Sequence, residues 1–96
     1  MKVRLSKLAL AELDAILDGI RNENPLAAAQ FEGRISRVFE RIAQFPKGAQ
    51  EIENRPGIRR VPLVRYPYVI HYGIIDREVM VLRIIHGARH DPWENR

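Results

Sequence analysis

The chain contains no cysteine. Disulfide frameworks, thiolate metal sites and cysteine nucleophiles are therefore excluded, and a cytoplasmic location is expected. No run of about 18 apolar residues occurs, so no membrane-spanning helix is expected. Lys2 and Arg4 are not followed by an uninterrupted apolar stretch, so the first residues do not read as a signal peptide. Also missing are a phosphate-binding glycine loop, a Ser/His/Asp arrangement and a carboxylate dyad. His86 and His90 flank a glycine and have no evident third ligand, which is no metal motif. Neither a metal nor a cofactor is expected. No repeat or low-complexity tract appears, and 96 residues suit one domain spanning 1–96. A core this small gains from a partner that covers apolar surface.

What is present in excess is arginine. The formal net charge is +4, and it is unevenly spread. Residues 55–90 hold seven arginines against two acids and no lysine. Arginine offers planar, bidentate contact to phosphate or carboxylate. Two readings stand side by side: a solubilising basic surface, or a surface for an anionic partner, either nucleic acid or an acidic protein segment.

Residues 2–5 alternate polar and apolar, as a short strand does. Ser6 is a good helix N-cap, and Leu10, Leu13, Ile16, Leu17 and Ile20 form one apolar stripe on a helix of 7–22. Asn24-Pro25 starts a second helix, whose stripe runs from Ala28 through Phe31, Ile35, Val38, Phe39 and Ile42 to Phe45. Pro46 to Gly57 reads as a loop. Ile58–Leu63, Tyr66–Ile75 and Glu78–His86 are rich in Val, Ile and Tyr and read as strands, with a hairpin turn at 75–78. The expected fold is α+β, in the order β-α-α-β-β-β, with a helical hairpin on one face of a mainly antiparallel sheet.

Arg83 interrupts an otherwise apolar strand, so it either pairs with a helix carboxylate or points off the helix-free face into a groove. His86, Arg89 and His90 could form a cationic cluster able to grip phosphate or move a proton, or simply a solvated strand end. Arg59 and Arg60 point to opposite faces, so at most one shares a face with Arg83. Tyr66, Tyr68 and Tyr72 share one parity and suit either a half-buried core or a base-stacking surface. Trp93 is either a lid on the core or an anchor for a partner. Glu12, Asp14 and Asp18 read as a solvated helix face.

Three segments taken in order resemble the signature of ParE toxins. They are Ile58-Arg59-Arg60, Tyr68-Val69-Ile70-His71-Tyr72, and Val81-Leu82-Arg83-Ile84-Ile85-His86-Gly87-Ala88-Arg89, with His90 set between Arg89 and Asp91. Ala11, Leu13 and Ile16 in the first helix and Phe45-Pro46 after the second extend the resemblance over nearly the whole chain. The resemblance implies the ParE/RelE-like fold and an antitoxin whose acidic C-terminal segment wraps the toxin. It also implies a toxin that poisons DNA gyrase without catalysing a reaction. Arg59, Arg60, Arg83, His86, Arg89 and Trp93 are then the candidate target contacts. The neighbouring RelE branch cleaves ribosome-bound mRNA. Its strand arginine would fall at Val69, a second arginine at Arg89, and its C-terminal tyrosine has no counterpart beside His90 and Trp93. In that alternative Arg89, His86 and His90 would be catalytic. Losing a general acid or base costs about 10²–10⁴-fold per group.

Overall fold

A computed structural model describes residues 1–87. Strand β1 (Val3–Leu5) leads into helices α1 (Lys7–Glu23) and α2 (Pro25–Gln44), followed by β2 (Gln50–Ile52), β3 (Arg55–Pro62), β4 (Tyr68–Ile75) and β5 (Glu78–His86). The five strands form one sheet in the order β1-β5-β4-β3-β2. The β1–β5 pair is parallel and the other three pairs are antiparallel. Neither described helix is long and apolar enough to cross a membrane.

Local chemistry sets the boundaries. Ser6 Oγ accepts from the Ala9 amide at 3.0 Å and caps α1. Asn24 alone links the helices: its amide donates to Ile20 O, closing α1, while its Oδ1 accepts from the Ala27 amide at 3.1 Å, opening α2. Pro25 occupies the first helical position, where no amide donor is needed. The β4–β5 turn has Asp76 at φ 51° and Arg77 at φ 63°, the geometry of a two-residue I′ hairpin without its usual glycine.

The core lies between the helices and one sheet face. Leu17, Phe31, Ile35 and Ile42 meet Ile70, Tyr72, Val79, Val81 and Ile84. Phe31 takes both Tyr66 and Tyr68 edge-on, at 4.9 and 5.7 Å between centroids. The three tyrosines thus belong to the core and its margin.

Two details depart from the sequence reading. The stretch read as a loop from Pro46 contains β2, and β3 begins at Arg55. With one polar face and only three residues, β2 has no periodicity to announce it. It exists because Glu51 and Gln50 pair with Arg59 and Arg60. The second departure is a bulge. Tyr72 faces Val81, yet His71 faces Arg83, so Leu82 is an extra residue in β5. Without it, Arg83 would follow Val79 and Val81 onto the buried helix face. The bulge sends Ile84 there instead.

Candidate functional site

The bulge decides what Arg83 does. Beyond Leu5, β1 no longer covers β5, and the exposed edge is completed by side chains. Ser6 Oγ donates to Leu82 O at 3.0 Å, and the Ile84 amide donates to Glu12 Oε1 at 3.0 Å. Glu12 also accepts three bonds from Arg83, from Nε at 3.1 Å to each oxygen and from Nη2 at 2.8 Å. The two side chains retain 23% and 16% exposure. The bond to Glu12 raises the Arg83 pKa further, against the opposing effect of burial. Of the two readings of Arg83, the ion pair to a helix carboxylate is the one observed, not a side chain free in a groove. Correspondingly, Glu12 is not merely part of a solvated face.

Arg59 is also engaged. Its Nη1 donates to Lys47 O at 3.1 Å and to Ala49 O at 2.5 Å, and its Nη2 lies 3.3 Å from Glu51 Oε1. It holds the α2–β2 connection against β3. The same loop receives the Tyr72 hydroxyl, which donates to Pro46 O at 2.7 Å. Burial pushes the Tyr72 phenol above its usual range, with the Arg59 charge pulling the other way.

The remaining predicted residues are distributed. Arg60 is exposed and helps line a cavity of about 350 Å³ between α2 and β3. His86 is exposed at the end of β5, its ring edge-on to Tyr68 at 5.7 Å. It belongs to a separate groove of about 660 Å³, whose far wall is the Glu12, Ile16, Gly19 and Glu23 face of α1. Arg60 and His86 sit on strands separated by β4, and among the described residues they line different cavities. Arg89, His90 and Trp93 lie outside the described residues.

Sequence reasoning missed a third feature. Arg34, Arg37 and Arg41 recur at spacings of three and four along α2, so they form one ridge. The cavity beside β3 is lined by Arg34, Arg41 and Arg60 over a floor of Val38, Ile42 and Phe45. An adjoining depression of about 590 Å³ is lined by Arg34, Arg37, Arg65 and Tyr66. Val64 and Arg34 border both. Among the described residues, no carboxylate lines either depression. Phe45 and Val64 are 60% and 61% exposed. The helical spacing of the three arginines was the available signal.

A helical hairpin on a mixed sheet, with a basic surface and a tyrosine-rich core, defines the small α+β toxin architecture that the sequence resembled. The family model for the ParE toxin of type II toxin-antitoxin system, parDE, matches residues 3–91, and the chain belongs to that family. The putative toxin Y4kP of Sinorhizobium fredii is 32% identical over 96% of this chain and 92% of its own length. Toxin RelE2 of Caulobacter vibrioides is 36% identical over 84% of this chain and 89% of its own. A solved chain of the chromosomal ParDE TA system from P. aeruginosa superposes with a TM-score of 0.76 at 27% identity, covering 90% of this chain and 95% of that one.

Proposed function

We propose that this chain is a cytoplasmic toxin that blocks DNA gyrase by binding, and that an antitoxin with an acidic C-terminal segment holds it inactive. Family membership supports the toxin-antitoxin assignment. The observation that carries the gyrase branch is on the sheet. The position corresponding to the nuclease branch's strand arginine is Val69, a buried apolar residue paired with Ile85 and Pro62. The neighbouring strand arginine, Arg83, has its guanidinium committed to Glu12. A phosphoryl-transfer site requires cations preorganised around the reacting phosphate. Here Val69 serves packing and Arg83 serves an ion pair within the scaffold instead. Arg60, His86, Arg89 and Trp93 are the proposed target contacts, with Arg59 and Arg83 supporting the scaffold beneath them.

A second reading, ribosome-dependent mRNA cleavage, draws on one finding: a 36% identical relative carries the name Toxin RelE2. In that reading His86 moves a proton, with Arg89 and His90 as its partners. The test is a gyrase supercoiling assay with purified chain, run beside translation of a labelled message. Lost supercoiling with linear DNA accumulating and message intact is the expected result. Message cut on the ribosome with gyrase unaffected would overturn it.

A further inference from the structure

Arg59 and Arg83 are engaged within the scaffold, but Arg34, Arg37, Arg41 and Arg65 form no ion pair among the described residues. They are not scattered. Arg34, Arg37 and Arg65 converge on the depression of about 590 Å³, beside Gln30 and Tyr66. Arg65 reaches it from the β3–β4 connection at φ 73°, a left-handed conformation that costs a non-glycine residue free energy. The Arg34 Nε is buried and has no hydrogen-bond acceptor among the described residues, an unmet donor inside a cationic site. One turn beyond Arg37, Arg41 stands over the exposed ring of Phe45, 6.0 Å from its centroid. Both border the adjoining cavity of about 350 Å³.

We infer that this surface holds a single strand of nucleic acid, with phosphates along the arginine ridge and a base against Phe45. Arg34 to Arg41 spans about 10 Å along α2 at 1.5 Å per residue, too long for one phosphate. Successive phosphates of a strand supply charge at about that density, roughly one per 3.4 Å when stacked. Guanidinium groups meet phosphate oxygens with paired donors. The exposed faces of Phe45 and Val64 decide against a duplex, whose bases are already stacked on one another. An unpaired base covers such a face, and Arg41 beside the ring adds a cation–π contact. Converging cations alone would suit free phosphate, and the apolar cavity alone would suit an uncharged ligand. Side by side and sharing Arg34 and Val64, the two depressions match the alternation of phosphate and base along a strand. The site deepens the proposed function and rests on it for its purpose: a toxin acting on a nucleic-acid enzyme gains a hold on the strand that the enzyme opens.

The probes are fluorescein-labelled DNA and RNA strands of about 12 nucleotides, titrated with the full chain and followed by anisotropy. The controls are the duplex of the same sequence, a strand of abasic sites and an oligoglutamate of equal charge. At least one of the two strands should bind about fivefold or more tighter than each control. Phe45→Ala should weaken it by at least about fivefold and leave the salt dependence unchanged. Arg37→Ala with Arg41→Ala, both exposed positions, should weaken it by at least about tenfold. The same pair should lower the slope of log affinity against log salt by about 1.4, or about 0.7 per phosphate released. Arg37→Lys with Arg41→Lys should restore that slope, which loss of folding alone would not allow. Binding by neither strand, equal binding of the duplex or the abasic strand, an unchanged slope, or tighter binding of the oligoglutamate would each overturn the proposal. The gyrase reading is judged separately by the supercoiling assay. A strand bound with gyrase unaffected would leave this site standing and remove that reading. Gyrase blocked by a chain that grips neither strand would do the reverse.

Discussion

Glu12→Ala is the substitution that tests most of the reasoning at once. Glu12 accepts from the Ile84 amide and from Arg83 at two nitrogens, so its removal strands a backbone donor and a charge together. Breaking one partner of a fully buried pair costs about 3–5 kcal/mol. Here the side chains keep 23% and 16% exposure, so water screens part of that, leaving about 1–2 kcal/mol for the pair. A half-buried amide without an acceptor adds about 1–3 kcal/mol. Together these give about 3 kcal/mol, a large share of a small domain's total of about 5–15. Glu12→Gln keeps an oxygen for the Ile84 amide and loses only the charge, so it should cost about half as much. Urea unfolding followed by circular dichroism, with unchanged m-values, is the assay. Glu12→Ala in an Arg83→Met background should cost less than in the native chain, by about 1–2 kcal/mol of coupling. A cost under about 0.5 kcal/mol for Glu12→Ala would refute the edge-clamp argument. Equal costs for Ala and Gln would remove the Ile84 amide from it.

Three further outcomes are expected. The buried Tyr72 phenol has its pKa raised on folding, so its stabilising effect is present below about pH 10 and is lost as pH climbs through the folded value. Tyr72→Phe should therefore flatten the alkaline fall in urea midpoint between pH 9 and 11, at a neutral-pH cost of about 1 kcal/mol for the Pro46 bond; parallel pH profiles would contradict this. Asn24→Ala should lose about 1 kcal/mol by uncapping α2, while Asn24→Asp should keep most of it; equal losses would mean the Ala27 amide gains nothing from the side chain. Arg77 sits at φ 63°, so Arg77→Gly should raise thermal stability by about 0.5 kcal/mol and Arg77→Val should lower it, with calorimetry as the readout and a reversed order as the refutation.

The helices were readable because each signal acts locally. Ser6 and Asn24 cap within three residues of themselves, and Leu13, Ile16, Leu17 and Ile20 report their own burial, while Leu10, read as the start of the same stripe, stays 51% exposed. The three main strands were readable for the same reason, down to the bounds of β5. What escaped was set by pairing rather than by residue type. β2 is polar and exists only against β3. The bulge at Leu82 follows from the need to keep Arg83 out of the core while placing Ile84 in it. That need becomes visible only once Val79 and Val81 are known to face the helices.

The candidate site shows the same division. Arg83 was recognised as anomalous, and an ion pair was one of its two readings, but its partner lay 71 residues away on a face taken for solvent-exposed. No local pattern distinguishes Glu12 from Asp14 or Asp18. What separates them is that the uncovered edge of β5 passes one position on α1. Arg59 and Arg60 are adjacent in sequence and diverge in role for a reason already visible in strand geometry. One lies opposite Tyr72 and is drawn into the Lys47–Glu51 loop, and the other lies opposite His71 and remains exposed. The arginine ridge on α2 runs the other way. Its spacing was plain in the sequence, yet its meaning depended on Val64 and Arg65 arriving beside it from the turn after β3. Charge counted along the chain therefore underrates this surface: the window 55–90 contains the strand arginines that the fold spends on its own scaffold, Arg59 and Arg83, and omits Arg37 and Arg41 on α2, which it leaves facing outward.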